Sequence, residues 1–183
     1  MKENEDNLLV KRCLQGDKRA FENLVRKYEK TVFNVIYQMV RDFSDTEDLT
    51  QTVFVKVYQN LEKFDEHYKF YSWLYRITMN ETLNYLQQKK AVFEIPVNYE
   101  SLDKTPDRIL DEAEMIHFID GALAVLDPNY RILIIMRHFL DLSYREMSEI
   151  VRLPERKVKS RLYMARQIMA RYMIEKGIVK DEA

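Results

Sequence analysis

Three glycines and four prolines in 183 residues are too few to punctuate a turn-rich β architecture, which points away from sandwiches, barrels and fibrous repeats. A single cysteine, Cys13, cannot close an intramolecular disulfide, and no Cys/His set has the spacing of a metal site. No apolar run approaches the roughly 18 to 20 residues that a bilayer span requires, and no charged start precedes an apolar signal segment. A soluble, cytoplasmic protein is expected. The chain also lacks a glycine-rich phosphate loop and a nucleophile triad, and His67, His117 and His138 stand isolated. Neither catalysis nor a bound metal or cofactor is expected.

Helix formers are what the chain has in quantity: Leu, Ile, Met, Glu, Lys, Arg and Gln fill long stretches, so an all-α fold is the default. An apolar content of 46% is enough for a core, and the length allows one domain or two small ones. The net charge of -1 would discourage a nucleic-acid reading if it were evenly spread. It is not. Between Arg152 and Arg171, seven bases (Arg152, Arg156, Lys157, Lys159, Arg161, Arg166 and Arg171) face Glu155 alone, a local charge of +6.

From about Leu8 to Lys90, apolar positions such as Phe21, Leu24, Val25, Tyr28, Val32, Val35, Ile36 and Met39 recur at helical spacing, which outlines a first domain over residues 1–90. Between Ala91 and Leu110 the period fades, while Pro96, Asn98, Ser101, Asp103 and Pro106 interrupt the backbone, so this segment reads as a flexible linker. The period resumes with Met115, Ile119, Ala122 and Leu126, and a second helical domain follows over 111–183.

Within that second domain, Asp127-Pro128 sets a capping carboxylate before a proline, so a helix should run from Pro128 to about Leu140. Ser143 with Glu146 forms a capping box and opens a short helix with Tyr144, Met147, Ile150 and Val151 on one stripe. Arg152-Leu153 is the turn, and Pro154 starts the last helix. Successive 100° steps put Val158, Leu162, Ala165 and Met169 on one side and Arg156, Ser160, Tyr163 and Gln167 on the other, with Lys157 and Met164 at its border. Such an outer face suits the major groove, with Lys159, Arg161 and Arg166 flanking it at phosphate reach. Charge alone would favour a solvated basic surface, but the coincidence of capped helix, short turn and basic helix turns the reading to helix-turn-helix DNA binding.

The segment Leu142–Arg166, LSYREMSEIVRLPERKVKSRLYMAR, resembles the C-terminal domain of the extracytoplasmic-function sigma factors, group 4 of the sigma-70 family. The resemblance implies that this domain reads the minus-35 promoter element, with Lys159, Ser160, Arg161 and Tyr163 at or near the DNA. It also implies that Pro128, Tyr130, Arg131 and Phe139 belong to a unit that meets the polymerase flap. Arg152 stands where the family usually has a turn glycine, Arg156-Lys157 replaces a usual Gly-Thr pair, and Met164 replaces a common base. Combined with the helical wheel, the candidate minus-35 set is Arg152, Arg156, Lys157, Lys159, Ser160, Arg161, Tyr163, Met164, Arg166 and Gln167.

In the first domain, Ser44 with Glu47 forms a capping box and predicts a helix from Asp45 to about Leu61. Leu49, Val53 and Val57 line one side, while Phe54, Val55 and Tyr58 lie nearer Glu47, Asp48 and Gln51. A buried central helix and a helix with a second, partner-facing surface both fit this pattern. The run Asp45–Phe54, DTEDLTQTVF, looks like the signature of sigma region 2.2, which implies docking on the clamp coiled coil of RNA polymerase. The candidates for core polymerase binding are Asp45, Glu47, Asp48 and Gln51, with Phe54 as packing support.

Phe64–Tyr71 mixes aromatics with hydrogen-bonding groups, a set able to capture an unstacked base; Trp73 is expected to be buried, while Tyr68 and Tyr71 could go either way. The run Phe70–Asn80, FYSWLYRITMN, is similar to the family pattern of regions 2.3 and 2.4, the minus-10 reader. The resemblance implies DNA roles for Asp65, Glu66, His67, Tyr68, Lys69 and Tyr71, for Asn80 and Asn84, and for Lys89 and Lys90. Asn84 occupies a position often held by Asp, and Lys89-Lys90 replaces a common arginine pair.

The implied function is that of a sigma factor, which binds core RNA polymerase and directs promoter recognition and transcription initiation. Its implied partners are the polymerase clamp and flap, promoter DNA and an anti-sigma factor. The alternative is a stand-alone helix-turn-helix repressor or activator with a sensing or dimerising N-terminal domain.

Overall fold

The computed structural model describes residues 5–92 and 112–178, and every regular element among them is helical. The elements are α1 (Glu5–Leu14), α2 (Lys18–Val40), α3 (Phe43–Gln59), a 3-10 turn (Leu61–Lys63), α4 (Phe70–Val92), α5 (Glu112–Ala124), α6 (Pro128–His138), α7 (Tyr144–Val151) and α8 (Glu155–Glu175). They form two compact units, the first chiefly α1–α4 and the second chiefly α5–α8. The expected all-α class with two small domains is therefore what the chain adopts. Beyond Val92, the end of α4, the linker expected over 91–110 lies outside the described residues.

In the first unit α2 packs against both α1 and α3. The Asp17 carboxylate accepts the amides of Arg19 and Ala20 at 3.0 and 3.3 Å, satisfying two donors that a helix start leaves orphaned. Leu24, Tyr28, Val32, Val35, Ile36 and Met39 are buried along one stripe, as their spacing predicts. Arg41 closes α2 in the left-handed region, φ 60°, and its amide bonds the Tyr37 carbonyl at 2.9 Å. The next residue restarts the chain: Asp42 is extended and its carboxylate accepts the Asp45 amide at 2.9 Å. So α3 begins at Phe43, two residues before the expected start. Asp42 takes the cap because it leaves the left-handed turn in extended backbone, whereas Ser44 is already helical.

Thr46 and Thr50 of α3 and Thr78 and Thr82 of α4 are buried, and each hydroxyl donates to the carbonyl one turn back, at 2.5 to 3.0 Å. That back-bonding lets a small polar residue sit in a core without an unpaired donor. Phe64, Phe70 and Trp73 meet with ring centres 5.5 to 5.9 Å apart and floor the loop between the 3-10 turn and α4.

In the second unit α6 and α5 both pack on α8. Asp127 caps α6 through the Asn129 amide at 2.9 Å and Pro128 is its first residue, as expected, although the helix ends at His138 rather than near Leu140. Ile132, Leu133, Ile134, Ile135 and Met136 are buried. A Cβ at Gly121 would collide with the Tyr172 hydroxyl, so the absence of a side chain there admits α8 against α5. Among the described residues no helix is long and apolar enough to cross a membrane.

Candidate functional site

The capping box predicted at the start of α7 is formed: the Ser143 amide and hydroxyl donate to Glu146 Oε2 at 2.9 and 2.8 Å, and the Glu146 amide returns to Ser143 Oγ at 3.3 Å. Met147 and Ile150 are buried, Tyr144 and Val151 half-buried. Arg152 turns the chain with φ 53°, in the left-handed region that favours glycine. Pro154 takes the cap position of α8 and Glu155 its first turn.

On α8, Val158, Leu162 and Ala165 are fully buried and Met169 half-buried. Arg156, Lys157, Lys159, Ser160, Arg161, Tyr163, Met164, Arg166 and Gln167 are all exposed, as is Arg152 in the preceding turn. The structure thus brings all ten candidates onto the solvent side of one turn and one helix. Two of the cations are tethered. Lys159 Nζ lies 5.2 Å from the centre of the Tyr144 ring, and the Arg137 guanidinium lies 5.6 Å from the same centre. Arg166 lies 3.4 Å from His138 Nε2, and burial first, then Arg166 and Arg137, holds that imidazole below its usual range.

On α3, Glu47, Asp48 and Gln51 are exposed, while Phe54 is only 8% exposed and belongs to the core. The second apolar surface is therefore narrower than the wheel implied and rests on Val55 and Tyr58. Asp45 is half-buried and its carboxylate accepts the Tyr85 hydroxyl of α4, so it braces α3 as well as bordering the exposed acidic stretch. Beside that stretch lies a groove lined by Glu29, Lys30, Phe33, Phe43, Glu47, Thr50 and Gln51.

The 64–69 loop is internally folded. Asp65 Oδ1 accepts both the His67 amide, at 3.0 Å, and the His67 ring Nδ1, at 2.7 Å, while the Tyr68 amide bonds the Asp65 carbonyl at 3.0 Å. Hydrogen bonding to Asp65, reinforced by its charge, raises the His67 pKa, and the His67 amide and ring lower that of Asp65. Asp65, Glu66, His67, Tyr68 and Lys69 are exposed and Tyr71 half-buried, with Lys69 Nζ 3.0 Å from the Tyr71 hydroxyl. Trp73 is buried, as expected. Asn80, Asn84 and Lys89 are exposed along α4, and Lys90 follows in the same helix.

Residues 24–92 match Sigma-70 region 2, and residues 119–169 match Sigma-70, region 4. The ECF RNA polymerase sigma-E factor of Escherichia coli K12 is 31% identical over 174 residues, spanning 88% of this chain and 91% of that protein. This chain belongs to the ECF sigma factors of the sigma-70 family. Two solved structures share its fold: CnrH, solved in complex with the cytosolic domain of CnrY, with a TM-score of 0.74 at 20% identity over 94% of this chain and 99% of that one; and RpoE of Bartonella quintana, solved in complex with the anti-sigma factor NepR, with a TM-score of 0.66 at 19% identity over 84% and 96%. The sigma factor's function is transcription initiation, and the stand-alone repressor or activator alternative is not favoured.

Several residues that shape these surfaces carry no signal in the sequence of this sigma factor. Asn7 and Lys11 of α1 reach Glu66 in the loop, at 3.2 and 3.1 Å. The Arg131 guanidinium donates to the carbonyls of Leu123, Ala124 and Leu126 at 2.8 to 3.2 Å and seals the end of α5. Phe139 is exposed. Helical spacing says which residues share a face, but not what that face meets, and this is why these partners escape a linear reading.

Proposed function

We propose that this sigma factor docks on the clamp coiled coil of RNA polymerase through the exposed acidic and amide stretch of α3, with Glu47, Asp48 and Gln51 as direct contacts and Asp45 positioned by Tyr85. The 64–69 loop, with Asn80, Asn84, Lys89 and Lys90 on α4, captures the opened minus-10 strand; an aromatic such as Tyr68 offers a stacking face worth roughly 1 to 3 kcal/mol per base. The outer face of α8 reads the minus-35 duplex, Ser160 and Gln167 at base edges and Lys157, Lys159, Arg161 and Arg166 at phosphates. The 91–110 segment spans polymerase between the two domains. An anti-sigma factor masks the polymerase-binding surfaces when the protein is idle, as the NepR complex of the Bartonella relative suggests. The protein works in the cytoplasm.

The observation that carries this reading is the presence of regions 2 and 4, in that order, with Glu47, Asp48, Gln51, Tyr68, Asn80, Ser160 and Gln167 all exposed. The test is transcription from genomic DNA by core polymerase plus this chain, followed by sequencing of transcript 5′ ends. Start sites should cluster downstream of two shared upstream elements. A protein that leaves core polymerase silent, or that footprints duplex DNA without it, would overturn the proposal.

A further inference from the structure

α1 precedes the segment that matches region 2, and no promoter or polymerase role is attached to it above. Its position is nonetheless fixed from two sides. Asp6 is 4% exposed, and its carboxylate accepts the Tyr28 hydroxyl at 2.7 Å and the Lys27 ammonium at 2.6 Å, locking α1 onto α2. Burial, then the bond to Asp6, keeps the Tyr28 hydroxyl protonated far above its ordinary range, so this lock is a donor–acceptor pair rather than two repelling anions. The Tyr28 ring also lies 5.7 Å from Phe70, the residue at which the loop ends and α4 begins. From the face that α1 turns to the loop, Asn7 Nδ2 donates to the Glu66 carbonyl at 3.2 Å, and Lys11 pairs with the Glu66 carboxylate at 3.1 Å. Asn7 and Lys11 are one helical turn apart, so both reach the same loop residue from one stripe.

We propose that α1 is a positioning element for strand capture: Asn7 and Lys11 grip Glu66 and hold the 65–69 loop in the shape that receives an extruded minus-10 base. This rests on the capture reading of the loop. Lys11 and Glu66 side chains are 48% and 58% exposed, so their pair is individually weak. A backbone carbonyl tied by a side chain adds to it, and together they shift the loop between held and free by roughly five- to ten-fold.

The experiment uses holoenzyme reconstituted from core polymerase and the full chain. It measures affinity for core, affinity for a fluorescent single-stranded minus-10 oligonucleotide, and hydrogen exchange at the His67 and Tyr68 amides. The Asn7→Ala/Lys11→Ala double variant should bind the oligonucleotide roughly five- to ten-fold more weakly, exchange faster at both amides and keep its affinity for core. Lys11→Arg, which preserves the ion pair, should behave as the parent. Tyr68→Ala separates the two levels of the idea. If it weakens capture while the double variant does not, the grip of α1 is refuted and the capture reading stands. If Tyr68→Ala captures the strand normally, the capture reading fails and takes this proposal with it. Equal loss of core and oligonucleotide affinity in the double variant would reduce α1 to a general structural part and overturn its positioning role.

Discussion

Arg152 sits at φ 53° in the turn between α7 and α8, where the family usually places glycine. A side chain there brings its Cβ against the following carbonyl, a cost of about 1 to 2 kcal/mol. Glycine removes the clash but also frees the unfolded chain, which returns about 0.4 to 1 kcal/mol. Because Arg152 is exposed, little buried area is lost with its side chain. Arg152→Gly should therefore stabilise the helix-turn-helix domain by about 0.5 to 1 kcal/mol, or about 2 to 8 °C in its midpoint. Arg152→Ala keeps the clash and removes the charge, so the glycine-minus-alanine difference isolates backbone strain from electrostatics. The assay is thermal unfolding of the full chain, following the transition of the second domain, alongside holoenzyme binding to promoter DNA across a salt series. If Arg152 touches a phosphate, both variants should lower the slope of log K against log salt by about 0.9. Equal melting midpoints for the glycine and alanine variants would refute the strain argument.

Other outcomes follow from the same geometry. Ser160→Ala and Gln167→Ala should lose discrimination at the upstream element, by about 1 to 3 kcal/mol per base pair, while polymerase affinity holds; unchanged promoter choice would contradict the assigned face of α8. Asp48→Ala should weaken polymerase binding without moving the melting temperature, whereas Phe54→Ala should cost about 3 to 5 kcal/mol of stability, and a reversal of that pattern would misplace the two residues. Leu162→Ala, deep under α8, should cost about 2 to 5 kcal/mol by chemical denaturation. His67 should titrate above its ordinary 6.5 by NMR and return to it in Asp65→Asn. The sign is that of a raised base: its contribution is complete below 6.5 and fades as pH climbs through the elevated value, while that of Asp65 is present above 3.8 and fades as pH falls through its lowered one.

Which parts of this molecule the chain announces depends on range. Signals that act within one turn were legible: Asp127-Pro128 started α6, Ser143 and Glu146 started α7, and the 3.6-residue period put Val158, Leu162 and Ala165 inside and Arg156, Ser160 and Gln167 outside. The start of α3 departs from the Ser44 cap because two caps compete within three residues, and the left-handed backbone of Arg41 decides between them. Contacts made across the fold were silent. Asp45 meets Tyr85 forty residues on, Asn7 meets Glu66 fifty-nine residues on, and nothing in either local pattern marks the other. Phe54 falls near the exposed acids on an ideal wheel, yet packing draws it inward.

Tyr144 is the first residue of α7, and its ring is shared by Arg137 of α6 and Lys159 of α8. One aromatic plate thereby fastens three consecutive helices at the edge of the exposed basic face of α8. A lysine already leaning on such a plate has fewer rotamers to surrender when a phosphate arrives. Replacing the ring by leucine would leave the charge intact but loosen its aim, so that the same number of contacts would form at a larger entropic loss.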